Sequence, residues 1–466
     1  MTAPVVVILA AGQGTRMRSK TPKLLHQLCG RPLIGWPVAA AREAGAGKIV
    51  VVDAPGESLR AHLDSDVVVV VQEQANGTAG AASAAAAHLD TDAPVVVIAG
   101  DVPLLSAQTI IALAETHTKT GAAATVLTAV FEDPTGYGRV VRAADGSVEK
   151  IVETKKPGDA TAEELQIKEI NAAVYAFDGG ALCEALGRVG NDNAQGEYYL
   201  PDVLPLLRER GHTLAAYRLT DPAETLGVND RLQLSIVRTI AQRRINEAHM
   251  RGGATIVSPE TTVIDATVTI GQDVTIEPGT ALHGKTELAD NTTIGPHSTL
   301  TDVTVGENSK VIHSYVVGAT IQAGVSVGPF AYLRPGTVLR DGAKAGTFVE
   351  LKNTEVGERS KVPHLSYIGD TTIGEDTNLA ASTITANYDG FKKHRTKIGS
   401  HVHTGVDTTF VAPVEIGDNS WTGAGSVISK DVPADALAIA RARQANLEGY
   451  DGKIRARNDA GDAGSE

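Results

Sequence analysis

The chain has 466 residues, more than one ordinary hydrophobic core organises, so two or three domains are expected. Its net charge of −13 argues against nucleic acid or an anionic membrane surface as the main partner. The two cysteines, Cys29 and Cys183, lie far apart without metal-site spacing, which suits a reducing, cytoplasmic setting.

The first apolar run, Val5 to Ala11, has no basic segment before it and is too short for a signal sequence or a membrane span. It reads as a buried parallel strand. Residues 5–9, 49–52, 67–71 and 95–98 are short Val/Ile runs of the kind covered on both faces. Residues 33–43, 57–62 and 78–88 read as crossover helices between them. The spacing predicts a doubly wound α/β layer over about 1–228. Residues 229–252 carry Leu232, Ile236, Ile240 and Ala248 at helical spacing and end at Gly252-Gly253, which predicts a linker helix.

From Ile264 to Ile428 the sequence repeats with a period of six. Ile264, Ile270, Ile276, Leu282, Leu288, Ile294 and Leu300 keep the frame without a slip. It continues, with shifts, through Val305, Val311, Val317, Ile321, Val327, Leu333, Leu339, Val356, Val362, Ile368, Ile373 and Leu379. A last run reads Ile398, Thr404, Phe410, Ile416, Thr422 and Ile428. Period six fits neither a helix face nor a simple strand, but it fits a parallel β-helix built from hexapeptide repeats over 253–450. High glycine (48 residues) and low aromatic content (4%) agree with its narrow interior. Residues 451–466 are polar and glycine-rich and are expected to lack fixed structure.

Several motifs sit on this frame. The first strand leads into Leu9-Ala10-Ala11-Gly12-Gln13-Gly14-Thr15-Arg16-Met17 and then Thr21-Pro22-Lys23. A glycine-rich turn there lets backbone N–H groups face a phosphate chain. It matches neither the dinucleotide fingerprint nor a Walker loop. Gly100-Asp101 follows the fourth strand run, at the strand end where α/β enzymes place metal ligands. In the β-helix, Arg334-Pro335-Gly336, Glu350-Leu351-Lys352-Asn353, His364-Leu365-Ser366-Tyr367-Ile368-Gly369-Asp370 and Asn387-Tyr388-Asp389-Gly390 gather in the later coils. The stretch from Tyr388 to Lys397 interrupts the six-residue frame, as a functional loop on a rigid solenoid would.

The G-x-G-T-R-M and P-K segments resemble the signature of sugar nucleotidyltransferases, and the repeat resembles the left-handed β-helix of hexapeptide acyltransferases, which are usually trimers. Together the two halves, over residues 5 to about 450, are similar to the bacterial family that combines glucosamine-1-phosphate N-acetyltransferase with N-acetylglucosamine-1-phosphate uridyltransferase. The resemblance implies UTP, acetyl-CoA and the two sugar phosphates as substrates, Mg²⁺ as cofactor and a homotrimer, with no nucleic-acid partner and no membrane insertion. It implies Arg16 and Lys23 as the catalytic cations of uridylyl transfer, with Leu9, Ala10, Gly12, Gln72, Gly77, Thr78, Gly138, Glu153, Asn171 and Asn229 around the nucleotide sugar. Asp101 and Asn229 are the implied Mg²⁺ ligands. For acetyl transfer it implies His364 as general base. It puts Arg334, Lys352, Tyr367, Asn378, Asn387 and Tyr388 around the sugar phosphate, and Ala381, Val406, Ala424 and Arg441 around acetyl-CoA.

The chain departs from the family pattern at four places. Gly77-Thr78-Ala79-Gly80-Ala81 lacks a usual histidine, and Ile170-Asn171-Ala172-Ala173 lacks a usual glycine. Asn378-Leu379-Ala380-Ala381 and Gly405-Val406-Asp407 differ in the β-helix, the latter by loss of a hydroxyl. Two other readings stay open at this stage. An adenylyl- or thymidylyltransferase with a β-helix tail would lack the His364 constellation. A non-catalytic regulatory scaffold would lack Arg16, Lys23 or Asp101.

Overall fold

The computed structural model describes residues 2–12, 14–152, 154, 160–192 and 196–462. It forms two compact units, one of Met1–Glu247 with Ile264–Thr267, the other of Ala248–Val263 with Val268–Glu466.

The valine runs become the middle of a mixed sheet. Its strands are β1 (Val5–Leu9), β2 (Lys48–Asp53), β3 (Val67–Val71), β4 (Pro94–Ala99), β5 (Ala124–Val130), β6 (Arg139–Arg142), β7 (Val148–Val152), β8 (Glu169–Asp178) and β9 (Leu214–Arg218). The order is β9-β5-β8-β4-β1-β2-β3, with β6 and β7 as a hairpin beside β8. β1 runs parallel to both β2 and β4, whereas β8 is antiparallel to β4 and β5. Along β1, Val6 and Ile8 belong to one buried cluster and Val5 and Val7 to the other. Both faces are therefore covered, which is why the run is continuous rather than alternating.

Helices α1 (Gly35–Glu43), α2 (Thr78–Ala84) and α3 (Ala107–Thr120) pack on this sheet. The expected helix at 57–62 is only a 3₁₀ turn, Arg60–His62. The buried Asp53 carboxylate accepts from Ala54 N–H at 2.7 Å and from Leu59 N–H at 2.9 Å, so the side chain bends the segment before a helix can start. The predicted helix at 78–88 likewise breaks after Ala84 and ends in a 3₁₀ turn, Ala86–His88.

Helix α4 (Arg231–Arg251) forms within 229–252, where the spacing predicts a helix, and the boundary between the units falls inside it. Beyond it, short strands stack into three parallel sheets of seven, ten and nine strands. One interior column runs Leu282, Leu300, Val316, Leu333, Leu351 and Ile368, each paired in register with the next. All six are fully buried, worth roughly 1.5–3 kcal/mol apiece relative to exposure. The inward residue of its coil is Val316 and not Val317, because the chain takes a five-residue step after Val311. Thr280 and Thr292, two places before inward residues, are buried with their hydroxyls on the Glu277 and Ala289 carbonyls. That is how a polar side chain fits a dry layer.

Most of the polar tail has helical backbone, where the composition leads to an expectation of no fixed structure. Tyr450–Asp462 form a helix, exposed over 450–459, with Arg455 paired to Asp451 one turn away at 2.8 Å. No helix among the described residues is long and apolar enough to cross a membrane.

Candidate functional site

In the first unit, three segments converge at the carboxyl ends of β1 and β4. Ala10 N–H donates to the Val52 carbonyl and Gly100 N–H to the Leu9 carbonyl, both at 2.9 Å, which fixes the two loop starts side by side. Gly14 has a φ of 60°, and a Cβ there would strike the Lys23 Cβ at 2.4 Å. The glycine lets the Lys23 side chain pass back under the loop. The Lys23 Nζ then donates to Asp101 Oδ2 at 2.5 Å and to Asn229 Oδ1 at 3.3 Å. Arg16 Nη2 reaches the same Asn229 oxygen at 2.9 Å. Val228 N–H on the Asp101 carbonyl holds Asn229 beside Asp101.

A carboxylate and an amide oxygen thus already face one cation. These hard oxygen donors suit Mg²⁺ bound partly by the protein and partly by phosphate and water. Among the described residues no group of three or more His, Cys, Asp or Glu could hold a metal alone.

Beside this cluster is a cavity of about 770 Å³. Leu9, Ala10, Gly12, Lys23, Gln72, Gly77, Thr78, Asp101 and Asn171 line it, together with Tyr175, Glu197 and Tyr199. Gly138 is not among the lining residues, but its carbonyl accepts from Asn171 N–H at 2.9 Å. Asn171 Nδ2 donates to the Tyr175 hydroxyl at 2.7 Å. Buried Gln72 gives its Nε2 to Asn76 Oδ1 at 2.8 Å and to the Gly77 carbonyl at 3.0 Å. Thr78 Oγ1 accepts from Leu200 N–H. The missing histidine has a structural counterpart: a side chain on Gly80 would meet Asn76 Oδ1 at 1.9 Å, so Asn76 fills that space and steadies Gln72. Glu153 lies outside the described residues. Tyr175 and Asn76 are residues that the sequence does not single out for the site.

In the second unit the polar motifs stack along one edge of successive coils. Tyr332, Glu350 and Tyr367 pair in register. Arg334 Nη1 donates to Glu350 Oε1 at 3.0 Å. Lys352 Nζ donates to Asp370 Oδ2 at 3.3 Å, and Asn387 Nδ2 to the same oxygen at 2.6 Å. Asn387 opens the loop that breaks the repeat. There Asp389 accepts from Phe391 and Lys392 N–H and pairs with His394 Nε2 at 2.7 Å.

The bent loop carries Lys393, which the sequence reading missed. Its ammonium lies within hydrogen-bonding reach of Lys352. The hydrogen-bonded contact between the two side chains raises Lys352, with Asp370 adding to the rise, and the same contact together with the Lys352 charge lowers Lys393 below its ordinary value. Three cations (Arg334, Lys352, Lys393) face two carboxylates (Glu350, Asp370), so the cluster is suited to an added anion.

His364 ends the strand Lys361–His364 on the sheet before the corner, and Tyr367 begins Tyr367–Gly369 on the sheet after it. The imidazole is exposed. The Glu350 carboxylate is engaged by Arg334. Asn378 is exposed, and its backbone bridges Lys361 and His403. Tyr388 is exposed, its hydroxyl on the Gly390 carbonyl. Ala381, Val406 and Ala424 form one corner column, tied by Asp407 N–H to the Ala381 carbonyl and Gly425 N–H to the Val406 carbonyl. The Arg441 side chain passes beside Gly425.

Comparison with known proteins agrees with both halves. Residues 6–166 match the MobA-like NTP transferase domain family, and residues 267–302 match the bacterial transferase hexapeptide family (six repeats). With the three stacked sheets, this makes the second unit a left-handed parallel β-helix. The chain is 51% identical over 452 residues to the bifunctional protein GlmU of Streptomyces coelicolor, covering 96% of this chain and 93% of that one. It is 48% identical over 467 residues to the protein of the same name from Corynebacterium diphtheriae, covering 98% and 96%.

Proposed function

The chain belongs to the family of bifunctional GlmU proteins, and from that premise we propose that this transferase makes UDP-N-acetylglucosamine in two steps. It first acetylates glucosamine 1-phosphate from acetyl-CoA. It then transfers uridylyl from UTP to N-acetylglucosamine 1-phosphate and releases pyrophosphate. The observation that carries the reading is the Lys23 ammonium held between Asp101 and Asn229 beside a cavity lined by Gln72, Gly77, Thr78 and Asn171.

In uridylyl transfer, Arg16 clamps the departing pyrophosphate and Lys23 offsets charge at the α-phosphate, while Gln72, Gly77 and Thr78 hold the uracil. Leu9, Ala10 and Gly12 offer backbone to the nucleotide, and Gly138, Glu153 and Asn171 hold the sugar. Asp101 and Asn229 would hold Mg²⁺, which when bound neutralises phosphate charge.

In acetyl transfer, Arg334, Lys352 and Lys393 hold the sugar phosphate, and Tyr367, Asn378, Asn387 and Tyr388 surround the sugar. The His364 imidazole takes the proton that the attacking amine must lose. Ala381, Val406, Ala424 and Arg441 border the acetyl-CoA site.

A homotrimer is part of the proposal. Phe330 and Phe348 stack at 5.2 Å on an open corner continued by Leu365, all three at least half exposed. An apolar ladder of this kind marks an interaction face, and a second copy seated on it would also cover His364. The experiment is to measure pyrophosphate release with UTP and N-acetylglucosamine 1-phosphate against ATP and glucose 1-phosphate, and thiol release from acetyl-CoA with glucosamine 1-phosphate. Activity with only the second nucleotide pair, or with none, overturns the reading. A particle of one chain at micromolar concentration overturns the trimer.

A further inference from the structure

Asp370 carries a carboxylate that the proposed acetyl site does not use. It sits at a coil corner with a φ of 53° and is only 7% exposed. A carboxylate buried to that extent is costly unless its oxygens find donors. Oδ1 accepts from Asn353 Nδ2 at 2.7 Å, and Oδ2 accepts from Asn387 Nδ2 at 2.6 Å and Lys352 Nζ at 3.3 Å. Burial alone would raise its pKa, but the bonds from Asn353, Asn387 and Lys352 outweigh it and hold the group below the ordinary carboxylate value.

The donors come from the coils on either side. Lys352 and Asn353 lie at the end of the strand Glu350–Lys352, and Asn387 follows the strand Ile384–Ala386. Asp370 follows Tyr367–Gly369, between them. A lysine left to solvent keeps its full rotamer freedom, and fixing it costs entropy that a ligand would otherwise supply. Asp370 has the same sign of charge as a phosphate, so it would not contact one directly. Its effect on an anion passes through the groups it holds.

We propose that Asp370 is a positioning residue for the phosphate side of the acetyl-acceptor site. It fixes the Lys352 ammonium and the Asn387 amide and, through Asn387, the root of the loop that carries Lys393. This inference rests on the reading of that site as one for glucosamine 1-phosphate.

The test is Asp370→Asn in the full-length chain, with acetyl transfer measured while glucosamine 1-phosphate and acetyl-CoA are varied separately. The amide keeps the size but turns an NH₂ toward a donor. KM for glucosamine 1-phosphate should rise about tenfold or more, the scale of a small misplacement of binding groups. KM for acetyl-CoA should stay within about twofold, and uridylyl transfer should not change. An unchanged KM for the sugar phosphate, or a loss confined to kcat, overturns the role. If circular dichroism shows that Asp370→Asn does not fold, Asn353→Ala takes its place, since it removes one donor and no proposed substrate contact. Its KM should rise about threefold, and no rise overturns the role. A parent chain that cannot acetylate glucosamine 1-phosphate overturns the underlying reading. An active parent with an indifferent variant overturns only the inference about Asp370.

Discussion

The two units bring charged groups together by different routes. In the first, Lys23 meets Asp101 and Asn229 across 78 and 206 positions of sequence. In the second, Arg334 meets Glu350 across 16, Lys352 meets Asp370 across 18, and Asn353 and Asn387 each meet Asp370 across 17. A coil has a nearly constant length, so the residue one coil on lies directly above. Its contacts can be counted off the sequence once the period is known. In the α/β layer the intervening crossovers set the distance, and no spacing reveals it. The second site is a property of stacking, and the first is a property of topology.

If the sites are as separate as this contrast says, a variant in one should spare the other. The largest effect is expected for His364→Ala, which should lower acetyl transfer by about 10²–10⁴-fold, the general-base contribution. Uridylyl transfer and oligomer size should be those of the parent. Acetyl transfer at the parent rate would remove His364 from the mechanism, and a matching fall in uridylyl transfer would break the separation.

Lys23→Ala is the converse. Uridylyl transfer should fall roughly 10²–10³-fold, the scale of losing one charge-stabilising donor, while acetyl transfer stays level. Steady-state assays of both reactions on one preparation check it. A uridylyl rate within a few-fold of the parent would show that the ammonium between Asp101 and Asn229 only ties the loops together.

The same contrast explains what the sequence disclosed. The valine runs predicted β1 to β4 because a strand covered on both faces has no choice but continuous apolar residues. The period of six predicted the coils, but not the five-residue step that turns Val316 inward in place of Val317. Asp101, Lys23 and Arg16 were legible as motifs, while Asn229 came from resemblance alone. Lys393 was not legible: a lysine in a polar loop looks solvated until Asp389 bends that loop back. Asn76 was hidden for a related reason, since its part appears only when Gly80 leaves the space open.

A milder variant probes the bent loop. Asp389 is held well below the ordinary carboxylate range by His394 first and by the N–H groups of Lys392 and Phe391 next. A depressed pKa contributes above the unfolded value near 3.8 and is lost as pH falls through the lower folded one. The carboxylate should therefore stay ionised and keep its bonds from the Phe391 and Lys392 N–H groups throughout the neutral range. Both partners are partly exposed, so solvent screens the pair. Asp389→Asn keeps an oxygen for the backbone N–H groups and loses the negative charge that faces His394. KM for glucosamine 1-phosphate should rise by no more than about fivefold, well short of the same change at Asp370. Equal effects at the two carboxylates, measured side by side, would show that burial does not separate them.

The smallest expected effect returns to the first unit. Ala173 has a φ of 53°, a left-handed conformation that costs an alanine roughly 1–2 kcal/mol. The second unit uses the same conformation at many corners, more often with Asp or Asn, such as Asp273, Asn291, Asn308 and Asp376, which tolerate it better, but also with Phe330, Phe348 and Leu365. Ala173 holds the turn because its N–H caps Asn171 Oδ1 at 3.0 Å, beside the bond from Asn171 Nδ2 to Tyr175. Its methyl is exposed at the cavity, so removing it sacrifices little packing. Ala173→Gly should relieve the strain, set against about 0.4–1 kcal/mol of added freedom in the unfolded chain. The net gain is about 0.5–1 kcal/mol, a rise in Tm of roughly 1–4 °C for a unit of this size. In a Trp421→Phe background, Trp36 is the remaining tryptophan and its fluorescence reports the first unit. A rise there, with a sugar KM like the parent's, fits strain borne for a glycine-like turn. A fall would mean that the alanine methyl packs usefully and that the turn is not strained.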